Sequence, residues 1–432
     1  MSRPGTSAAE PRGGLPAPSL LFSELRGTSG LVLAVSGGPD STALMLLVSR
    51  WNERPPVLVA TVDHGLRPES AAEAGTVAAN AARLGLSCRV LRLGRLPAGN
   101  RQAAARSARY RALADLAREV DAEAIVTAHH REDQAETFLM RIARGSGVYG
   151  LGAMRPMVRT GDIAIARPLL GVSRSALHRL ASASGLPLAG DPSNEDERYE
   201  RVRMRRLQPA LDRHGLDAER LAGTADRLAR AADALDACCE RLVFDACSIS
   251  EWGSVTGPLE ALTEAHEEIA ERSLARMLAA VAGADYTPEH ASIGSLLGAL
   301  AAGPAGERVR RTLHGAVVTA SGGLFEIRRE WGRAGLPTMP ARPAETIVWD
   351  GRFRISVPNA DAVLEIAPIG LAAPLLAFEG MTRGAARTLP AILRDGRLAA
   401  LPAGLRPVRP AIPVASFEAA CLVRERLHRS TV

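Results

Sequence analysis

The 432-residue sequence contains no lysine, so all 53 of its basic side chains are arginine. Without lysine, the chain cannot carry a Walker A lysine, a Schiff-base lysine or a lysine general base. The arginines still leave a net charge of +6 and a pI near 9.5, which suit a polyanionic partner without requiring one. The missing residue therefore excludes several enzyme classes and leaves nucleic acid open as a partner.

Cysteines and long apolar runs are also scarce. The five cysteines are dispersed and form no C-x-x-C pair. No zinc ribbon, iron–sulfur site or disulfide framework is therefore predicted, and a reducing cytoplasm fits best. No run approaches the ~20 apolar residues of a membrane span, so no membrane association is expected. Residues 1–20 lack the apolar core of a secretory signal and are predicted to be a disordered leader.

Apolar strands and amphipathic helices alternate in the first part of the chain. The short apolar runs typical of buried parallel strands are 31–35, 57–62, 88–93 and 124–128. The helices predicted between them are 41–49, 71–84 and 100–120. This alternation predicts an α/β fold with a doubly wound parallel sheet, in which ligands bind at the carboxyl ends of the strands.

The rest of the sequence predicts further domains, which follow a first domain at residues 21–218. Leucines recur every seven residues from Leu221 to Leu242, which predicts a long amphipathic helix in a helical domain at 219–333. That helix either packs within the chain or forms a coiled coil in a homodimer. Residues 334–345 are proline-rich and are predicted to be a linker. Residues 346–432 are predicted to form a small α+β domain, and the basic linker and tail suggest that it binds RNA.

The stretch SGGPDS, residues 36–41, directly follows the first predicted strand. A glycine-rich turn that opens a helix directs backbone N–H groups and the positive end of the helix dipole at one point, which suits a phosphate. Asp40 would repel phosphate unless a cation lay between them, so we predict that it binds Mg²⁺. The alternative is a plain strand-to-helix turn in which Asp40 or Ser41 caps the helix.

Acidic and basic side chains elsewhere in the first domain are spaced so that they would face the same crevice as the loop. Within HHREDQAET, His130, Asp133 and Glu136 lie three residues apart and would share a helical face. The two carboxylates could bind an ammonium group or Mg²⁺, or deprotonate a nucleophile, unless the face is simply solvated. Arg106 and Arg109 form a similar fork, suited to phosphate or a carboxylate unless they are surface charge.

Two more groups of residues complete the candidate set. Asp63 and His64 end the second predicted strand, where adenine or a target base could be read. Arg201 and Arg203 belong to the arginine cluster RVRMRR. Such a cluster suits an RNA backbone, although a solvated basic face would look the same.

The motif SGGPDS resembles the PP-loop of the N-type ATP pyrophosphatases, which split ATP between the α and β phosphates and transfer AMP to a substrate oxygen. Together with TVDHGLRPES, TAHHREDQAETFLMRIARGSG, RPLLGVSR and DPSNEDERYERVRMRRLQPAL, it resembles the tRNA(Ile)-lysidine synthases over about residues 30–211. The resemblance implies that ATP adenylates O2 of the wobble cytidine in a tRNA(Ile) with a CAU anticodon. Free lysine then displaces AMP at C2, giving lysidine.

The resemblance implies a role for each candidate residue, with ATP and Mg²⁺ as cofactors. The expected catalytic residues are Asp40, Arg109, His130, Asp133 and Glu136. The expected ATP-binding residues are Ser36, Gly37, Gly38, Pro39, Asp40, Ser41, Asp63 and His64. The expected substrate-binding residues are Arg106, Arg109, Glu132, Asp133, Arg201 and Arg203. The expected metal ligands are Asp40 and Asp133.

The sequence departs from the family pattern at two positions, and two rival functions remain. Glu132 stands where an aspartate is usual, and Val202 stands where an asparagine is usual. A PP-loop tRNA thiolase would share the adenylation step but generally needs paired or dedicated cysteines. An ATP-binding regulator that has lost the chemistry is the non-enzymatic alternative, and the intact loop together with Asp133 argues against it.

Overall fold

The computed structural model describes residues 15–63, 65, 69–93, 101–189, 200–303, 308–361, 363–408 and 414–428. The chain forms two compact units, Met1–Ala232 and Asp233–Val432. The division falls inside a long helix and not between residues 218 and 219, where the sequence predicted a domain boundary.

The first unit is built on a six-stranded sheet. Its strands are β1 Leu31–Ala34, β2 Val57–Asp63, β3 Ser87–Arg92, β4 Ala124–Val126, β5 Met157–Thr160 and β6 Ile163–Ala166. Their order is β3-β2-β1-β4-β6-β5, and all run parallel except β5, which pairs antiparallel with β6. The predicted α/β fold with a doubly wound parallel sheet is confirmed, whereas the β5–β6 hairpin was not predicted.

Helices pack on both faces of this sheet. The helices up to residue 246 are α1 Pro18–Leu21, α2 Pro39–Ser49, α3 Ser70–Arg83, α4 Arg101–Glu119, α5 Arg131–Ala143, α6 Val148–Leu151, α7 Arg174–Ala183, α8 Glu200–Arg213 and α9 Ala218–Ala246, with a 3₁₀ turn at Ser23–Leu25. Because side chains alternate along a strand, Leu31 and Leu33 of β1 pack with α2, α3 and α7, while Val32 packs with Leu113 of α4 on the opposite face. Leu15, from the predicted leader, packs against the first of these two cores.

Helix α9 contains the heptad leucines, and three of them pack against core clusters of the chain. Leu221 joins a core cluster with Phe138 of α5, and Leu228 packs against that cluster. Leu242 packs against a core cluster of the second unit. A homodimer remains a prediction of the sequence.

The second unit contains two sheets and more strand than the sequence predicted. Its elements in the predicted helical domain are β7 Ser248–Ile249, β8 Val255–Pro258, α10 Glu260–Thr263, α11 Glu267–Ala282, α12 His290–Ala301, β9 Val309–Leu313, β10 Ala316–Ser321 and β11 Leu324–Arg329. The five strands form one antiparallel sheet in the order β7-β8-β11-β10-β9. The segment is therefore mixed, because α11 and α12 pack on a sheet that was not predicted.

The last part of the chain forms a seven-stranded sheet. Its elements are β12 Met339–Ala341, β13 Thr346–Trp349, β14 Phe353–Ser356, β15 Leu364–Pro368, α13 Ile369–Ala372, α14 Arg383–Ala386, β16 Pro390–Arg394, β17 Arg397–Pro402, β18 Ala415–Cys421 and α15 Val423–His428. Strand β12 lies in the predicted linker and pairs with β15, so part of that linker belongs to the sheet. No helix among the described residues is long and apolar enough to cross a membrane.

Candidate active site

A cavity of about 430 Å³ lies at the carboxyl ends of β1, β2 and β4 in the first unit. Its volume is within the range of pockets that bind small ligands. The polar and glycine residues that line it include Ser36, Gly38, Asp40, Ser41, Ser70, Glu73, Arg106, Arg109, His129 and Arg174. The predicted phosphate loop and the predicted arginine fork therefore face one cavity.

The two glycines of the loop have different structural roles. Gly37 has a φ of +88°, and a Cβ there would lie 2.9 Å from Cβ of Ala189, so glycine is needed for conformation and packing. Gly38 is the N-cap of α2 with a φ of −68°. Its nearest neighbour for an added Cβ is Oγ of Ser36, at 3.9 Å. The open approach to the backbone that phosphate requires is therefore at Gly38.

Hydroxyl groups close the loop on itself at the start of α2. Oγ of Ser41 accepts the backbone N–H of Ser36 at 3.2 Å and donates to the carbonyl of Gly38 at 3.1 Å. The two serine hydroxyls lie 3.2 Å apart. Pro39 occupies the first turn of α2, where the missing N–H costs nothing. The loop is thus held in shape by its own side chains.

Asp40 lies between two histidines. Its Oδ1 is 3.1 Å from Nε2 of His178, and its Oδ2 is 3.8 Å from Nε2 of His130. Among the described residues no donor completes a hydrogen bond to the buried Oδ1. An oxygen of this kind is suited to a hard cation such as Mg²⁺.

His130 is the N-cap of α5 and is almost fully buried. Its backbone N–H donates to Oδ2 of Asp133 at 3.0 Å, and its Nδ1 lies 3.0 Å from Oε2 of Glu132. Burial by itself lowers the pKa of His130, but Glu132, Asp133 and Asp40 together raise it above the ordinary value. The imidazole therefore joins three carboxylates at the edge of the loop.

Glu132 and Asp133 are engaged by protein groups. Oε2 of Glu132 accepts the backbone N–H of Arg174 at 2.8 Å. Burial raises the pKa of Glu132, but the contact with His130 and this N–H lower it below the usual range. Burial also raises the pKa of Asp133, while the charges of His130 and Arg201 lower it overall. Both groups are thus held as carboxylates, and neither lines the cavity.

Glu136 is paired with α8. Nε of Arg201 and Nε of Arg205 each donate to its carboxylate at 2.8 Å, and Glu136 is only 3% exposed. Nη2 of Arg201 also lies 3.6 Å from Oδ1 of Asp133. The structure therefore brings Asp133, Glu136 and Arg201 together beside the cavity, but neither Glu136 nor Arg201 lines it. Arg203 is exposed.

Of the remaining predicted residues, some line the cavity and others only support the backbone around it. Oδ1 of Asp63 accepts the backbone N–H of Gly65 at 3.0 Å and the hydroxyl of Ser70 at 2.5 Å, so Asp63 fixes the start of α3. Ser70, and not Asp63, lines the cavity. His64 lies outside the described residues. Arg106 lies over the ring of Tyr110 at 5.3 Å to its centroid.

Sequence reasoning missed His129, Arg174 and His178 as site residues. Burial and the nearby arginine charges lower the pKa of His129 to about 4, so this imidazole is neutral at physiological pH. His178 lies one turn after Arg174 in α7 and contacts Asp40. The available signal was weak: Ser173 precedes α7 as its N-cap, which identifies a helix but not which side chains face the loop.

In the part of the chain that the structure describes, no group of three or more histidine, cysteine, aspartate or glutamate residues could hold a metal ion. Magnesium is often bound by one or two carboxylates together with substrate phosphates. Asp40 fits that mode because its Oδ1 lacks a donor. Asp133, the other predicted ligand, already contacts a backbone N–H and a guanidinium.

The known proteins to which this chain is similar agree with one another in family. Residues 18–211 match the family model of the PP-loop domain. The chain is 46% identical over 310 residues to the tRNA(Ile)-lysidine synthase of Methylobacterium nodulans, a match that covers 70% of this chain and 90% of the relative. It is 42% identical over 317 residues to the tRNA(Ile)-lysidine synthase of Rhodopseudomonas palustris, covering 70% and 91%.

Solved structures show only a distant likeness. A tRNA thiolase from Methanococcus maripaludis is 14% identical, with a TM-score of 0.43, and the match covers 50% of this chain and 78% of that one. That level of similarity does not support any argument about chemistry.

Proposed function

The chain belongs to the tRNA(Ile)-lysidine synthases, and on this premise we propose that it joins free lysine to the wobble cytidine of a tRNA(Ile) with a CAU anticodon. The enzyme is a carbon–nitrogen ligase that cleaves ATP to AMP and diphosphate. We infer that lysine is attached at C2 through an adenylated cytidine, and that the enzyme is cytoplasmic.

One observation supports this function more than any other. The loop at residues 36–41 and the fork of Arg106 and Arg109 line a single cavity at the carboxyl ends of parallel strands. This edge is where open α/β sheets bind their ligands. The loop supplies backbone N–H groups and a helix N-terminus for phosphate, and the fork supplies positive charge across from it.

The proposed chemistry has two steps that share this cavity. O2 of the cytidine attacks the α phosphorus, the bond to the β-phosphate oxygen breaks, and pyrophosphate leaves. The lysine ε-amine then attacks C2, the bond from C2 to the adenylate oxygen breaks, AMP leaves with that oxygen, and the amine loses a proton. Arg106 and Arg109 are the groups that we propose to offset the charge on phosphate.

We propose that Asp40 holds Mg²⁺ together with phosphate oxygens of ATP. When bound, the ion would neutralise charge on the departing pyrophosphate. The donorless Oδ1 of Asp40 supports this assignment. The other acids have different roles: Asp133 and Glu136 position the arginines of α8, and Glu132 positions the start of α7.

The function is tested by incorporation of labelled lysine into RNA. Purified enzyme, ATP and magnesium are incubated with unmodified tRNA(Ile) bearing CAU, and methionine tRNA serves as the control. Because the chain contains no lysine, unlabelled enzyme adds no lysine of its own to a nucleoside digest. Label in the isoleucine tRNA alone supports the proposal. ATP cleavage to AMP without lysine transfer would instead favour the thiolase.

A further inference from the structure

We propose that Arg174, the first residue of α7, binds the pyrophosphate portion of ATP, and that Glu132 and His178 hold it in place. This inference rests on the function proposed above and adds a cationic contact to the ATP site. It also gives a role to His178 and names the side chain that Glu132 positions at the start of α7.

The position of Arg174 places it at the phosphate end of the cavity. It lines the cavity together with the loop at residues 36–41. Nε2 of His178 lies 3.3 Å from Nε of Arg174 and 3.1 Å from Oδ1 of Asp40. A single imidazole nitrogen therefore joins the guanidinium to the first turn of α2, where the loop would receive pyrophosphate.

The charge of Arg174 is not balanced by a carboxylate. Within the described part of the chain, no acidic side chain lies within ion-pair distance of its guanidinium, and Nη1 and Nη2 have no hydrogen-bond partner. Arg201, which is also half-buried, is by contrast paired with Glu136 at 2.8 Å. A half-buried guanidinium with two free nitrogens facing a cavity is suited to an anion, and arginine binds phosphate with two parallel hydrogen bonds.

Two contacts fix the orientation of this side chain. The backbone N–H of Arg174 donates to Oε2 of Glu132 at 2.8 Å, which anchors the start of α7 to the start of α5. Nε of Arg174 donates to Nε2 of His178. Glu132 thus fixes the position of the Cα atom of Arg174, and His178 fixes the direction of the Arg174 guanidinium.

The hydrogen bond from Arg174 also determines the tautomer of His178. Since Nε2 accepts a hydrogen bond from Nε of Arg174, Nε2 carries no proton in this arrangement and the ring N–H is on Nδ1. Nε2 then has no proton to donate to Asp40. This agrees with the donorless Oδ1 of Asp40 and leaves that oxygen available to a cation beside the same phosphates.

Ligand binding to Arg174→Ala tests the proposal, with Arg179→Ala as the matched control. Arg179 lies on the same helix, is exposed and does not line the cavity. We expect Arg174→Ala to weaken binding of ATP and of inorganic pyrophosphate by about tenfold to a hundredfold, the loss of a charge-assisted contact. Binding of adenosine and the melting temperature should stay as in Arg179→Ala.

The positioning roles are tested by a pair of substitutions at His178. Removing the acceptor in His178→Ala should raise KM for ATP, and His178→Gln, which restores an acceptor, should recover most of the loss. A purely structural role would instead change the melting temperature of both variants and the binding of adenosine. Equal KM values for His178→Ala and wild type would contradict the role of His178.

The outcomes separate this inference from the function on which it rests. If wild type and Arg174→Ala bind ATP and pyrophosphate equally, the assignment of Arg174 is wrong while the ATP site stands. If Arg174→Ala loses tRNA and keeps ATP, the arginine contacts RNA and the assignment is again wrong. If wild type binds no ATP at all, the proposed function fails, and this inference fails with it.

Discussion

Nε of Arg201 donates to Oε2 of Glu136 across 2.8 Å, and Arg205 binds the other carboxylate oxygen at the same distance. Glu136 is buried at 3% exposure, whereas the two arginines are about one third exposed. One carboxylate therefore joins α5 to α8 and balances two cations. The spacing of Glu136 had suggested a catalytic group, but its contacts support a positioning role.

Replacing this carboxylate by an amide of the same shape should destabilise the fold. Glu136→Gln removes the carboxylate that pairs with both arginines and leaves Arg201 only the longer contact with Asp133 at 3.6 Å, so we expect the free energy of unfolding to fall by about 3 kcal/mol. Denaturation in guanidinium chloride measures the change. Glu219→Gln is the control, since Glu219 is 77% exposed beside Arg131 and such a pair contributes less than about 1 kcal/mol. If both substitutions lowered the free energy of unfolding equally, the structural role of Glu136 would be contradicted.

Adding a methyl group at each loop glycine should separate folding from ATP binding. Gly37→Ala meets both a φ of +88° and Cβ of Ala189 at 2.9 Å, so we expect it to cost about 1–3 kcal/mol of stability. Gly38→Ala has no such clash and should leave the melting temperature unchanged. Its Cβ should nevertheless weaken ATP binding, because Gly38 lines the cavity. Thermal unfolding measures the stability of each variant, and calorimetric titration measures its affinity for ATP. A destabilised Gly38→Ala that binds ATP normally, together with a stable Gly37→Ala, would contradict the two assignments.

Removing the charge of Asp40 should abolish ATP cleavage without unfolding the protein. Asp40→Asn keeps the size of the side chain but loses the anionic oxygen proposed to hold magnesium. We expect no release of pyrophosphate across a magnesium titration, with the melting temperature close to that of wild type. Asp115→Asn is the control, since Asp115 is 66% exposed at the surface. Turnover of Asp40→Asn at low magnesium equal to that of wild type would refute the metal role.

The last helix, α15, should support the core formed by α11 and the five-stranded sheet. Leu427 is 1% exposed and packs, with Val423, in the core that contains α11. Leu427→Ala should therefore cost about 2–5 kcal/mol, whereas Val363→Ala, at a side chain 69% exposed, should change stability by less than about 0.5 kcal/mol. If denaturation showed no difference, α15 would not support this core. Because β12 pairs with β15, deletion of residues 346–432 would also remove the partner of a strand that remains, so the test of tRNA binding needs surface point substitutions.

The sequence predicted the elements whose signal is local. The runs that became β1, β2, β3 and β4 and the helix α2 appear within a residue or two of their predicted bounds. Burial on both faces selects continuous apolar strands, which accounts for β1 and β4, whereas β3 is a largely exposed edge strand. In the five-stranded sheet of the second unit, β10 is buried along almost its whole length and its apolar run was overlooked, whereas its neighbour β9 gives a weak signal. Strand β9, for example, reads VRRTL, with three exposed central residues, which resembles a surface loop.

The candidate site shows the same limit at the level of side chains. Spacing predicted one shared helical face for His130, Asp133 and Glu136, but it could not reveal that Glu136 contacts Arg201 and Arg205 of α8. His178 was missed because its contact with Asp40 depends on the packing of α7 against α2. Residue type and spacing identify groups that could do chemistry, whereas partners distant in sequence determine which of them face the cavity.

The most direct test of the central claim, ATP activation of tRNA at the loop of residues 36–41, follows the α phosphate of ATP. The enzyme is incubated with α-labelled ATP, magnesium and unmodified tRNA(Ile) bearing CAU, first without lysine and then with it. We predict that label accumulates on the tRNA without lysine and leaves as AMP when lysine is added, and that Asp40→Asn shows neither event. Lysine transfer to tRNA without any labelled tRNA intermediate, or full activity of Asp40→Asn, would contradict the account.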